Sequence, residues 1–219
     1  MGASVVAISP HLDDAVFGCA ELLAAHPRAA VITVFAGVPD ESQPLTDWDA
    51  GCGFSSSREA MLARREEDRE ALSLLGAVPC WLDFHDAQYG KPAPVHAISA
   101  ALGAELQRHR AHMVALPLGL FHSDHKLASR AALALIDEAR TWIAYEDALY
   151  RRISGAVEER LGELRAMGIK VAPFEAPRAA PVKRRAMHCY ASQLRGLSTP
   201  GRPGHADLDS PERYWRLLA

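Results

Sequence analysis

Continuous apolar runs rich in β-branched residues alternate along the chain with longer stretches whose apolar positions recur every three or four residues. Ser4-Val5-Val6-Ala7-Ile8 shows no polar alternation, the pattern of a strand covered on both faces in a parallel sheet. Over 14–26, Val16, Phe17, Cys19, Ala20, Leu22 and Leu23 fall at helical spacing, and Pro27 ends the run. Residues 30–35 repeat the buried-strand pattern, so the first 35 residues read as a β-α-β unit. Further helices are predicted over 57–75, stopped by Gly76, and over 95–108, 126–139, 154–167 and 180–194. Strands are expected at 79–84, 113–117 and 142–145, with a short outer strand at 169–174 and one or two helical turns over 211–218. Such alternation predicts an α/β fold with a Rossmann-like, doubly wound and mostly parallel sheet.

Residues 37–56 break this rhythm. They are rich in Pro, Gly, Asp and Ser, with Trp48 and Phe54 embedded, and read as a long ordered loop of the kind that usually serves a function. Trp48 is a candidate for stacking on a sugar face; the plainer reading is a loop pinned by two hydrophobic anchors.

Length and composition narrow the class. With 219 residues, 49% hydrophobic and 23% charged, the chain suits one globular domain over 1–219, with an irregular segment from about 196 onward. A net charge of -3 from 24 basic and 27 acidic side chains gives no field suited to nucleic acid or an anionic membrane. Lys183-Arg184-Arg185 reads as a solvated face. Cys19, Cys52, Cys80 and Cys189 are scattered without a Cys-x-x-Cys pair, against a disulfide framework or a cysteine-based zinc site and in keeping with a reduced, cytoplasmic setting. The apolar run at 3–8 has no basic residue before it and is too short for a signal peptide or a membrane span.

Candidate chemistry sits after two predicted strands. His11-Leu12-Asp13-Asp14 follows the first and His122-Ser123-Asp124-His125 the fourth, and in open α/β sheets ligands bind beyond the carboxyl ends of the strands. The two loops should therefore line one crevice. His11 and Asp14 can turn toward one point, His125 can close the triangle, and such an N/O set with a water makes an open catalytic zinc site. Asp13 is then the candidate base. Singly, Asp13 or Asp14 would more often be a helix N-cap and either histidine a surface or hydrogen-bonded core residue. None of His26, His85, His96, His109, His112, His188 and His205 lies in a comparable cluster, yet spacing alone leaves both readings open. A dinucleotide site is disfavoured, because the loop 9–14 has no glycine, and there is no Gly-x-Ser-x-Gly elbow for a serine hydrolase.

These motifs resemble the LmbE-like, or PIG-L, family of N-deacetylases, whose first motif is His-Pro-Asp-Asp-Glu after strand one and whose second is His-x-Asp-His. Arg64-x-x-Glu67, Leu75-Gly76, Asp86, Tyr145-Glu146-Asp147, Lys183 and Tyr190-x-Ser192-Gln193 extend the resemblance over nearly the whole chain. It implies one Zn²⁺ per chain, with other divalent ions able to substitute, held by His11, Asp14 and His125. Asp13 would be the general base, and His122 would stabilise the oxyanion or protonate the leaving amine. Asp124 would orient or tune His122, and Arg64 and Asp86 would hold the sugar. Two departures stand out. Leu12 and Ala15 replace the usual Pro and Glu, as in the branch acting on glycosylated or specialised metabolites. Leu120 and Phe121 stand where some relatives carry a tyrosine that polarises the carbonyl, so that role is vacant or filled from elsewhere.

The expected activity is removal of an N-acyl, chiefly N-acetyl, group from an amino sugar or glycosylated metabolite. The expected partner is that small molecule, with no nucleic acid, no membrane, and room for a homo-oligomer. The alternatives are an amidase on a thiol-sugar or long-chain N-acyl conjugate, and a sugar-binding module that has lost its chemistry.

Overall fold

The computed structural model describes residues 5–176, 182–201 and 204–218. Strands β1 (Val5–Ser9), β2 (Ala30–Thr33), β3 (Val78–Trp81), β4 (Met113–Pro117), β5 (Thr141–Tyr145), β6 (Lys170–Phe174) and β7 (Tyr214–Leu218) form one sheet in the order β3-β2-β1-β4-β5-β7-β6. The first five pair in parallel, with Ala7 beside Val31 on one side and Ala115 on the other, whereas β7 runs antiparallel to both of its neighbours.

The absence of alternation in the strand sequences is explained by two cores, one on each face. Val5 and Ala7 point into a core built with helices α1 (Asp14–Ala25), α3 (Ser57–Leu75) and α7 (Lys183–Met187). Val6 and Ile8 point the other way, against α4 (Val95–Arg108), α5 (Ser123–Leu133) and α6 (Ala156–Ala166). Both faces of β1 are thus dry, so a polar residue at any of these positions would be buried without a partner. β1 feeds α1 on one face, and its neighbour β4 feeds α5 on the other. The crevice between their carboxyl ends is therefore the topological switch point of the sheet.

Local signals set both ends of α3. Ser56 accepts from the Glu59 amide at the start of α3, and Gly76 closes it in the left-handed region at φ 68°, where glycine carries no Cβ penalty.

Elsewhere the elements depart from the sequence pattern. Helix α5 starts at Ser123 rather than 126, because the His122 side chain accepts from the Asp124 amide as an N-cap, and it ends at Leu133. The helix expected over 180–194 is two short ones, α7 and α8 (Ala191–Leu197); Ala180, like Ala3 and Ser4, lies outside the described residues. The break is fixed by α3: Asp68 accepts from the buried Tyr190 hydroxyl at 2.8 Å, and Glu67 accepts from both the amide and the hydroxyl of Ser192 at 2.8 and 2.6 Å. The expected helical turns over 211–218 are instead β7. Five residues without clear periodicity leave helix and strand undecided, and the unpaired edge of β5 decides: Tyr214 to Leu217 pair with Tyr145 to Trp142. The loop 37–56 contains the short helix α2 (Asp47–Gly51), capped by Thr46.

Asp68 is fully buried on the inner face of α3, where it accepts from Trp81 Nε1 at 2.7 Å as well as from Tyr190. Burial pushes its carboxyl up to about 7, against the opposing pull of those two hydrogen bonds and of Arg69. A folded-state pKa above the unfolded value means that the native state binds the extra proton. Stability should therefore rise as pH falls from about 7 toward 4 and be lost as pH climbs through 7. Urea unfolding at pH 5 and pH 8 should show a gain at the lower pH that is smaller in Asp68→Asn by about 1–3 kcal/mol; an equal gain in both proteins contradicts this assignment.

Candidate metal centre and catalytic cleft

The two motifs meet. Asp14 Oδ2 lies 3.1 Å from His11 Nδ1 and 3.2 Å from His125 Nε2, and the donor atoms of these three residues all fall within 4.8 Å of one another. The ring nitrogens facing away from Asp14 are also engaged. His11 Nε2 is 3.1 Å from Asp124 Oδ2, and His125 Nδ1 is 2.6 Å from Asp147 Oδ1. Two imidazoles, each held from behind by a carboxylate and each turned toward a shared carboxylate oxygen, is the arrangement that orients histidines on a metal and raises their basicity. The donor set, two nitrogens and one oxygen, suits an open tetrahedral zinc site.

Electrostatics points the same way. Burial alone would lower the pKa of His11, yet Asp86, Asp124 and Asp14 outweigh it and raise the imidazole well above its ordinary value. Burial likewise opposes His125, which Asp14 and Asp147 lift to about 9. Burial would raise Asp14, but His125 and His11 hold it well below the usual carboxylate range. The carboxylates crowded here demand positive charge, and a divalent ion gathers at one point the two charges that protons on the two rings would otherwise carry.

Asp13 stands at the N-cap position of α1 but makes no side-chain cap hydrogen bond. The N-cap reading therefore fails for it, and its carboxylate lines the cleft instead. Burial first, and then the charge of Asp14, push it up to about 7. His122 lies across from it, 5.3 Å from His11 and 5.5 Å from His125 between ring centroids. Its Nδ1 accepts from the Asp124 amide at 3.2 Å, which leaves the ring proton on Nε2. Burial, and then the neighbouring His11 and His125, lower its pKa, so the ring is a neutral donor.

The remaining sequence-predicted residues divide. Asp124 turns its carboxylate to His11 and to the Ala87 amide at 3.1 Å, and it meets His122 through its own backbone N–H and its charge, so it is placed against both rings. Asp86 lines the cleft 3.7 Å from His11 Nε2 and accepts from Gln88. Arg64 also lines the cleft, but it is 5% exposed and its guanidinium is committed to Asp49 at 2.6 Å and to the Tyr89 hydroxyl at 3.4 Å. Its fork ties the 37–56 loop to α3. Trp48 lines the cleft and packs so closely on α8 that a Cβ on Gly196 would sit 3.0 Å from its ring, which makes it an anchor of the loop. Phe54 packs beneath the Arg64 guanidinium.

Three residues to which the sequence reading assigned no role complete the site, two lining the cleft of about 330 Å³ and one backing it. Asp147, at the end of β5, holds His125 and also accepts from the Gly119 and Leu120 amides at 2.8 and 3.0 Å. Gly119 has φ +87°, and a Cβ there would meet that of Ser129 at 2.6 Å, so only glycine allows this loop to deliver its amides. Tyr150 lines the cleft and stacks on His122 at 6.2 Å between centroids, with its ring edge-on to His125. Gln193, from α8, lines the opposite wall. A carboxylate directly after a buried strand was the available signal for Asp147. Tyr150 carried none.

Similarity agrees with this geometry. Residues 6–136, more than half of the chain, match the family model described as PIG-L, GlcNAc-PI de-N-acetylase. The chain therefore belongs to the PIG-L, or LmbE-like, family. No curated protein matches it. Among solved structures, the A40926 pseudoaglycone deacetylase Dbv21 is similar over 100% of this chain and 98% of its own, with 26% identity and a TM-score of 0.79. The zinc-inhibited form of the teicoplanin deacetylase Orf2 shares 23% identity over 98% and 97%, with a TM-score of 0.79. A 4-carboxy-2-hydroxymuconate hydratase from Pseudomonas putida shares the fold at 16% identity over 100% and 97%, with a TM-score of 0.57. The fold by itself therefore hosts more than one reaction, and the chemistry must be argued from the site.

Removing the anchor behind His125 tests the metal centre. Asp147→Asn should weaken zinc binding about 10–100-fold, measured by competition with a chromophoric chelator. Unchanged affinity would show that Asp147 serves only the backbone of the 118–120 loop.

Proposed function

We propose that this protein is a zinc-dependent N-deacetylase acting on an amino sugar or a metabolite that carries one, and that residues 1–219 serve this activity as one domain. The observation that carries the reading is the convergence of two carboxylate-backed histidines on Asp14, with Asp13 uncapped beside them. The named activities of Dbv21 and Orf2 support the same reaction class. Among the described residues no helix is long and apolar enough to cross a membrane.

His11, Asp14 and His125 are the proposed ligands. When bound there, a zinc ion would supply Lewis acidity, which takes the pKa of water from about 15.7 toward roughly 7 and would polarise a carbonyl. Asp13 takes the proton from the attacking water and carries it toward the departing amine. The Nε2–H of His122 donates to the carbonyl oxygen as charge gathers on it, or to the amine as the C–N bond breaks. Tyr150, its ring seated against His122, offers a phenolic O–H from the opposite side and fills the role left vacant by Leu120 and Phe121. Burial, followed by the charges of Asp14 and Asp13, keeps that phenol protonated, as a hydrogen-bond donor must be. Asp86, Gln88 and Trp48 provide a rim on which a sugar can hydrogen-bond and stack.

Incubation of the zinc-loaded protein with N-acyl glucosamines of increasing acyl length, read by amine release, tests the activity and its chain-length preference. Release from none of them would reject this substrate class. Asp13→Ala should keep stoichiometric zinc and lose about 10²–10⁴-fold in turnover, whereas His11→Ala should lose the zinc; absence of stoichiometric zinc from the unaltered protein defeats the scheme. Tyr150→Phe should lower kcat by about 10²-fold with little change in KM, and a change confined to KM would make Tyr150 a substrate-binding wall instead.

A further inference from the structure

A second group of metal-type ligands lies on the far side of β3, outside the catalytic cleft. Cys80 comes from β3, the edge strand of the sheet, and Glu105 and His109 come from α4 and its cap, one helical turn apart on a shared face. Cys80 Sγ is 3.3 Å from Glu105 Oε2, which in turn is 3.5 Å from His109 Nε2. The three donor atoms fall within 4.8 Å of one another. With zinc–sulfur bonds near 2.3 Å and zinc–nitrogen or –oxygen bonds near 2.0 Å, adjacent donors of a tetrahedral site stand about 3.3–3.5 Å apart. Both measured spacings match that edge length before any ion is considered.

An independent observation concerns His109. Its Nε2 is sealed from solvent and forms no hydrogen bond, although it faces the Glu105 carboxylate. A buried ring nitrogen with no partner is costly unless something completes it. Arg108 shows that the spot attracts cations: its guanidinium lies 2.5 Å from Glu105 Oε2 and 3.4 Å from Cys80 Sγ. That side chain is 63% exposed and free to swing into water, whereas Cys80, Glu105 and His109 are held by the strand and the helix.

We propose that Cys80, Glu105 and His109 form a second, peripheral zinc site, with one thiolate, one carboxylate and one imidazole as ligands and water in the fourth position. The thiol proton leaves to solvent when the ion binds, and Arg108 moves aside. Mixed S/N/O ligation of this kind favours zinc over calcium or magnesium. The ion clamps the edge strand to α4 at the root of the segment that carries Asp86 and Gln88 into the cleft, so its occupancy stabilises the wall of the catalytic site without entering it.

Cadmium is the probe, because a cadmium–thiolate bond gives an ultraviolet charge-transfer band that the histidine–aspartate centre cannot produce. Titration of the zinc-loaded full chain should develop this band to one equivalent, and excess zinc should remove it. The band should persist in His11→Ala and in Cys189→Ser and vanish in Cys80→Ser. Glu105→Gln and His109→Gln should each weaken cadmium binding at least tenfold, and Arg108→Ala should tighten it; these three keep the test open should Cys80→Ser misfold. No band in the unaltered protein, a band surviving in Cys80→Ser, or undiminished affinity in both Glu105→Gln and His109→Gln overturns the proposal. Because the readout is the thiolate, failure of the deacetylase reading would leave it untouched.

Discussion

The cleft is organised around a shortage of positive charge. Asp13, Asp14, Asp86, Asp124 and Asp147 crowd the carboxyl ends of β1, β4 and β5, in surroundings dry enough that Asp13 is pushed up to about 7 and both ligand histidines are drawn toward protonation. Packed apolar groups cannot relieve such crowding, and the directions of Asp124 and Asp147 are fixed by backbone amides and ring nitrogens. Only a cation at the centre satisfies them together. The fold contributes the place: a doubly wound sheet splits its two helical layers between β1 and β4, and the split exposes helix N-termini and loop ends to one another.

This constraint also explains how the supporting shell is distributed. Each ligand histidine is backed by a residue from a distant part of the chain: Asp124 follows β4 and Asp147 follows β5. Their carboxylates also accept backbone amides, of Ala87 in one case and of Gly119 and Leu120 in the other, so the same side chains that aim the rings pin the loops. Arg64 acts in a similar way farther out. Its charge is spent inside the wall on Asp49, which fastens the 37–56 loop and holds Trp48 against α8.

How much of this was legible in the sequence depended on whether the deciding interaction was local. Unbroken runs such as Val5 to Ile8 announced a strand dry on both faces, and the Ser56 and Gly76 caps marked the ends of α3. His11, Asp14 and His125 could be paired because each motif directly follows a buried strand. What failed depended on distant partners. The break between α7 and α8 comes from Glu67 and Asp68 on another helix, and β7 from the open edge of β5; the early start of α5 is the local exception, set by an adjacent imidazole acting as a cap in place of the usual Ser, Thr, Asp or Asn. Tyr150 could not be read at all, since nothing in its neighbourhood in sequence says that it stacks on His122. The same holds for His109, which has no clustered neighbour in the chain and meets Cys80 only because α4 covers β3.

The placement of β7 bears on the order in which the molecule can assemble. The five parallel strands and their crossovers are complete by Tyr145, but β6, the next strand to be made, has no sheet neighbour until Tyr214 to Leu218 have appeared between it and β5. During synthesis the amide edge of β5 therefore stays open while some seventy further residues emerge, and β6 waits detached. Cooperative closure then comes in a single late step, when one short segment pairs on both sides at once.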